Sequence, residues 1–84
     1  MSLDDKFQAA VSKMNSASKT PSPGEQLKLY GLFKQVSQGD NTGKRPGITK
    51  VRERAKFDAW AANKGVSKDA AVERYIALVD ALVG

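Results

Sequence analysis

Cysteine and histidine are both absent from this chain of 84 residues, and each absence closes off chemistry. Without cysteine there is no disulfide framework and no thiolate metal site; without histidine the commonest metal ligand and general base are missing. Serines and carboxylates are plentiful, yet no ordinary nucleophile-base pair can be built from them. The chain therefore reads as a non-enzyme with no metal and no cofactor. Long apolar runs are missing too: no stretch approaches the roughly 18 residues a membrane-spanning helix needs. The opening MSLDDKFQ lacks the charged-then-apolar layout of a secretory signal. A soluble, cytoplasmic, monomeric protein is the expectation. A chain this short buries only about 60 to 65% of the surface its unfolded form exposes. It is expected to form one domain over 1–84, with no room for a large internal site.

Acidic charge is in short supply. Lys and Arg number 14 against 9 Asp and Glu, a net charge of +5, which draws anions of any kind to the surface. Lys44, Arg45, Lys50, Arg52, Arg54 and Lys56 cluster in the middle of the chain, while the carboxylates lie mostly towards the N-terminus and in the last third. Charge by itself does not choose between nucleic acid, anionic lipid and nucleotide.

What is present is helical periodicity without repeats. Phe7, Ala10, Val11 and Met14 fall at i, i+3, i+4 and i+7, one apolar stripe. Ser2-Leu3-Asp4-Asp5 fits a capping box with Asp at its far position, so the first helix is expected over about 3–17. Ser22-Pro23-Gly24-Glu25 supplies a capping hydroxyl, a proline at the first helical position and a Glu that reaches back to the cap amide. The second helix, about 22–38, carries Leu29, Phe33 and Val36 as a core-facing stripe and stops at Gly39. Thr49 is expected to cap a third helix, about 50–64, containing Val51, Ala55, Ala59 and Ala62 and ending at Gly65. Ser67 is expected to cap a fourth over about 67–83, bearing Val72, Ile76, Val79 and Val83.

The loop SQGDNTGKRPGI, from Ser37 to Ile48, is dense in turn formers. Its Gly39-Asp40-Asn41-Thr42-Gly43-Lys44 piece is no phosphate loop: the glycines are one residue too close, Arg45 stands where Ser or Thr is required, and no strand precedes it. Asp40 and Asn41 also lack the alternating acidic ligands of a calcium loop. About twelve extended residues can span a whole helix, which allows helices two and three to run parallel; the short links near 18–22 and 64–67 favour antiparallel neighbours. An all-α, four-helix, up-down-down-up bundle follows.

The candidate site lies on both sides of that loop. Residues four apart on a helix share a face, so Tyr30 sits beside Lys34, and Arg52, Lys56 and Trp60 form one stripe. A flat ring next to a fixed cation suits a nucleotide phosphate. Taken singly, Tyr30 and Tyr75 also fit boundary aromatics, and Lys34, Arg52 and Lys56 solvated charges; their shared spacing favours the site. The same residues resemble the acyl-CoA-binding protein family. Its signature runs from Tyr-x-x-Phe-Lys-Gln through Gly-Asp, Asn-Thr and Arg-Pro-Gly to Ala-Lys-aromatic-Asp-x-Trp, and the match extends from Phe7 to the final helix.

The resemblance implies the four-helix bundle and a non-catalytic carrier of medium- to long-chain fatty acyl-CoA. It implies ligand contacts at Tyr30, Lys34, Lys56 and Tyr75, with Arg52 where the family commonly has Lys. Tyr30 and the two lysines would hold the ribose and 3'-phosphate, and Tyr75 would lie near the pantetheine and thioester. Secondary contacts are expected at Gly31, Leu32, Phe33, Phe57 and Trp60, and Ala10, Val11, Met14 and Leu27 are candidates for the acyl groove. Two positions depart from the family pattern: Gln26, often apolar, and Asn15, frequently basic. Transient contact with acyl-CoA-using enzymes or membranes is part of this expectation.

Two other classes compete. A basic helical nucleic-acid module would present a recognition helix lined with Arg, Lys, Asn and Gln and bind duplex with steep salt dependence, which leaves the tyrosines and apolar groove unexplained; no nucleic-acid partner is expected. A membrane-surface or protein-interaction bundle needs a broad Lys-rich face opposed to bulky apolar residues, which none of the four helices has.

Overall fold

The computed structural model describes residues 2–83; the two terminal positions of the expected 1–84 domain lie outside them. Four helices, α1 (Leu3–Ser16), α2 (Pro23–Gln38), α3 (Val51–Ala61) and α4 (Lys68–Val83), account for its regular structure, and no strand occurs among the described residues.

Three of the helix starts follow from side-chain chemistry. Ser2 Oγ accepts from the Asp5 amide at 3.1 Å while Asp5 accepts from the Ser2 amide at 3.4 Å. Ser22 and Glu25 form the same reciprocal pair at 3.2 and 2.9 Å, each box satisfying two amide donors that an open helix end leaves free. Ser67 Oγ accepts from the Ala70 amide at 3.2 Å. The fourth start corrects the reading of Thr49. Lys50 is the cap of α3 and makes no side-chain cap bond, because Thr49 lies one residue early, inside a turn closed by the Lys50 amide on the Gly47 carbonyl at 3.0 Å. The third helix is also shorter than expected, passing into a turn at residues 62–65. At Gly39, φ is 78°, a left-handed conformation that glycine adopts without steric cost, and α2 ends there.

Side-chain contacts give the helix directions. Lys13 pairs with Asp80 at 2.8 Å and Lys68 with Asp4 at 2.9 Å, so α1 and α4 run parallel; these exposed pairs report orientation more than stability. Gln35, near the end of α2, donates to the Val66 carbonyl just before α4, which sets α2 antiparallel to α4. Lys34 meets Trp60 and Lys56 meets Tyr30, so α2 and α3 run parallel. The order is up, down, down, up.

The core belongs to three helices. Phe7, Ala10, Leu29, Leu32, Val36, Ala71, Val72, Tyr75 and Val79 are buried, and they come from α1, α2 and α4. Helix α3 contributes nothing to it: the helix has no buried residue and Val51 is 71% exposed. Its alanines are too small to project into a shared core. Helix α3 packs on α2 alone, and α1 reaches α2 through side chains only. Phe33 also leaves the expected core stripe: it is 40% exposed, and Leu32 takes the inward position. Its ring lies 5.7 Å from Phe7 at the edge of the resulting gap.

Gly31 explains how α3 attaches. A Cβ at this position would lie 2.3 Å from the Ala59 carbonyl oxygen, so the two backbones approach at a distance only glycine permits. The linker is then secured at its base. Asp40 Oδ1 accepts from Gln35 Nε2 at 2.7 Å and from the Gly65 amide at 2.9 Å, tying the end of α2 to the turn before α4. Arg45 grips Asp58 through two bonds of 3.0 and 2.8 Å. Both carboxylates are held below their ordinary pKa, Asp40 chiefly by the Gly65 amide and Asp58 by the Arg45 guanidinium.

Candidate functional site

Two open clefts flank α2 and meet at Tyr30. The first, about 670 Å³, lies between α1 and α2. Val11, Met14, Leu29, Phe33 and Tyr75 supply its apolar surface, and Asn15, Lys19 and Gln26 its polar edge. The second, about 650 Å³, lies between α2 and α3, where Pro23, Leu27, Val51 and Ala55 are bordered by Arg52 and Lys56. Each is within the size range of small-molecule sites. Tyr30 and Gln26 line both, so the tyrosine forms a ridge between them.

The cations on this ridge are paired with rings across the helix interface. Lys56 Nζ stands 5.5 Å from the Tyr30 ring centre, and Lys34 Nζ stands 5.0 Å from that of Trp60. Sequence spacing places Tyr30 beside Lys34 and Lys56 beside Trp60 within their own helices; the parallel packing exchanges the partners. None of Lys34, Arg52 or Lys56 forms an ion pair among the described residues. A cation held over a ring face keeps its charge available to a second partner on its open side.

Trp60 is fixed from below, donating Nε1–H to the Gly39 carbonyl at 2.8 Å. Tyr75 has its ring edge against Phe7, centroids 5.0 Å apart, and burial pushes its phenol pKa up. A neutral hydroxyl at the cleft wall therefore offers a hydrogen bond and no charge. Neither tyrosine hydroxyl is hydrogen-bonded within the described residues.

The structure brings Tyr30, Lys34, Arg52, Lys56 and Trp60 together along the α2–α3 seam and sets Tyr75 across the α1–α2 cleft. The other expected contacts scatter. Val11 and Met14 line the first cleft and Leu27 the second, so these groove candidates occupy two surfaces separated by Tyr30. Ala10 and Leu32 are buried in the core, and Gly31 is occupied by the α2–α3 contact. Phe57 is half-buried beneath the linker, its carbonyl facing Asn41 Nδ2 at 3.5 Å. Sequence reasoning missed Lys19, Pro21, Pro23 and Val51 as cleft residues. Their signal lay in position alone, since each occupies or borders a helix connection. Gln35, 2% exposed, had no signal, because a polar residue on an apolar stripe declares its role only once its partners are known.

Comparison with known proteins gives consistent matches. The family model described as Acyl CoA binding protein matches residues 4–79. An acyl-CoA-binding protein homolog of Drosophila melanogaster is 44% identical over 96% of this chain and 94% of its own length. The acyl-CoA-binding protein of Saccharomyces cerevisiae is 42% identical over 92% of this chain and 88% of its own. The crystal structure of Oryza sativa Acyl-CoA-Binding Protein 2 superposes with a TM-score of 0.89 at 40% identity, covering 95% of this chain and 87% of that one.

Proposed function

This chain belongs to the acyl-CoA-binding protein family, and from that premise we propose that its two clefts, with Tyr30 between them, take the two chemically different halves of a fatty acyl-CoA. The observation that carries the reading is the pair of ring-seated lysines at the junction, Lys56 over Tyr30 and Lys34 over Trp60, beside apolar clefts. Phosphates meet Lys34, Lys56 and Arg52. The α1–α2 cleft, with its tyrosine walls and polar rim, suits the base and ribose, which stack and hydrogen-bond. The α2–α3 cleft, lined by Leu27, Val51, Ala55 and Pro23, suits the alkyl chain, each methylene removed from water contributing about 0.8 kcal/mol. The lysine and arginine stems extend that apolar surface while their heads reach the phosphates.

Binding and release are then the whole activity, since the chain carries neither His nor Cys from which to assemble a general base or thiolate nucleophile. The reading includes a cytoplasmic, monomeric carrier that passes its ligand to enzymes using acyl-CoA. The relatives named above are all called acyl-CoA-binding proteins, and nothing lends support to a nucleic-acid module. The test is titration calorimetry with palmitoyl-CoA, free CoA and palmitate at one salt concentration. Tight binding of the thioester with much weaker binding of either half is expected; equal binding of free CoA and palmitoyl-CoA would overturn the two-cleft reading.

A further inference from the structure

The connection from α1 into α2, Ala17-Ser18-Lys19-Thr20-Pro21-Ser22-Pro23, holds two hydroxyl side chains that each precede a proline. Ser22 is spent on the fold. Its hydroxyl accepts from the Glu25 amide at 3.2 Å, and the Glu25 carboxylate accepts from the Ser22 amide at 2.9 Å. Thr20 has no such duty: it is exposed, and its hydroxyl makes no hydrogen bond among the described residues. The backbone around it is extended. Ala17 has φ −67° and ψ 143°, Ser22 has φ −62° and ψ 160°, residues 17–22 belong to no helix, and the proline after Thr20 disfavours helical geometry there. An exposed, extended hydroxyl followed by proline is the form in which a proline-directed protein kinase takes its acceptor.

The same threonine lines the α1–α2 cleft, where Lys19 is the one charged side chain and no carboxylate is present. Between Asp5 and Glu25 the chain has no acidic residue, and Lys19 forms no ion pair among the described residues. A phosphate on Thr20, carrying about −1.5 to −2 charge, therefore has a cation beside it in sequence and nothing acidic to repel it. On Ser22 the same group would stand against Glu25. That carboxyl is held below its ordinary pKa by the Ser22 amide, and it already takes the anion-favouring end of α2.

From these observations we propose that Thr20 is the acceptor of a proline-directed serine/threonine kinase, and that its phosphate closes the α1–α2 cleft to the anionic half of an acyl-CoA. In the transfer, Thr20 Oγ1 attacks the γ-phosphorus of ATP; the new O–P bond forms as the bond to the β-phosphate oxygen breaks, ADP leaves, and the hydroxyl proton passes to the kinase's catalytic base. The phosphate then repels those of the ligand and draws Lys19 to itself. Thr20 caps neither helix and lies outside the core, so charge changes while the bundle stays intact. The effect on carriage rests on the acyl-CoA reading, and the modification itself does not.

The test treats the full chain, free of ligand, with Mg-ATP and a mitogen-activated protein kinase or, separately, a cyclin-dependent kinase, and maps the product by fragment mass spectrometry. One phosphate, on Thr20, is expected. Ser22→Ala should still be modified there, whereas Thr20→Ala and Pro21→Ala should lose the product. Palmitoyl-CoA titration of the purified phosphoprotein at low salt should show affinity about tenfold below that of the parent, the gap narrowing as salt rises. The melting midpoint should stay, and phosphatase should restore binding. No transfer by either kinase, phosphate chiefly on Ser22, or product persisting in Thr20→Ala would overturn the site; equal affinity of the phosphorylated and parent chains would overturn the closure. A parent chain that bound no palmitoyl-CoA would sink the acyl-CoA reading instead, and the mapped phosphate would still decide Thr20.

Discussion

Replacing Gly31 by alanine sets two physical effects of opposite sign against each other. Alanine is the better helix former, and in an exposed helix interior the change would stabilise by about 0.5–1 kcal/mol. Here the added methyl would lie 2.3 Å from the Ala59 carbonyl oxygen and 2.7 Å from its carbon, against 3.4 Å for an ordinary contact. These are backbone atoms that no rotamer change can remove, so α2 and α3 must separate by about 1 Å. Overpacking of this kind costs about 1–3 kcal/mol, which exceeds the propensity gain. A net loss of about 1–2 kcal/mol follows, or roughly 5–15 °C in the melting midpoint of a domain this size. The same separation pulls Lys56 from Tyr30 and Lys34 from Trp60, so palmitoyl-CoA affinity should fall with stability. Circular-dichroism melts and calorimetry read the two effects. A Gly31→Ala variant as stable as the parent, or more so, would refute the argument that close backbone approach fixes α3 on α2.

Lys34→Ala and Lys56→Ala should each weaken palmitoyl-CoA binding about ten- to hundredfold, the worth of a charge-assisted hydrogen bond, with melting temperatures close to the parent; unchanged affinity in both would discard these lysines as phosphate ligands. Val79→Ala, at a site with no exposure, should cost about 2–3 kcal/mol in a urea titration through lost transfer and a residual cavity, with ligand affinity kept in the fraction that remains folded. Asp40 and Asp58 are held below their ordinary pKa, so each contributes stability that is complete above the unfolded value near about 4 and is lost as pH falls through the lower folded value. The stability gap between parent and Asp40→Asn should accordingly be widest near neutrality and narrow on acidification; a gap that grows below pH 4 would show that the carboxylate charge is not what holds the linker.

Much of the fold was legible because its signals are local. The Ser2 and Ser22 boxes bring donor and acceptor within three residues of each other, so sequence spacing suffices to foresee them. Gly39 ends α2 for an equally local reason, a backbone angle. Where the reading failed, the deciding partner was remote. Phe33 and Leu32 are both apolar neighbours on α2, and only the direction from which α4 approaches determines that Leu32 is buried and Phe33 faces the cleft. Val51 carries no signal of its own, and only the packing of α3 on α2 alone sets it exposed at the edge of the second cleft. Thr49 looks like a cap until the Gly47–Lys50 turn takes up its backbone.

The amino-acid sequence by itself determined the helical class, the helix starts at Ser2, Ser22 and Ser67, the absence of cysteine and histidine chemistry, and the types of side chain available to an anionic ligand. These depend on composition and on neighbours within a turn or two. Tertiary structure alone decided which ring each lysine rests on, that the groove candidates divide into two clefts at Tyr30, and that Gln35 is buried while Ile48 and Val51 are not. Those outcomes depend on the parallel approach of α2 and α3 at Gly31 and on the gap between α1 and α2, and contacts between segments far apart in the chain leave no periodicity to read.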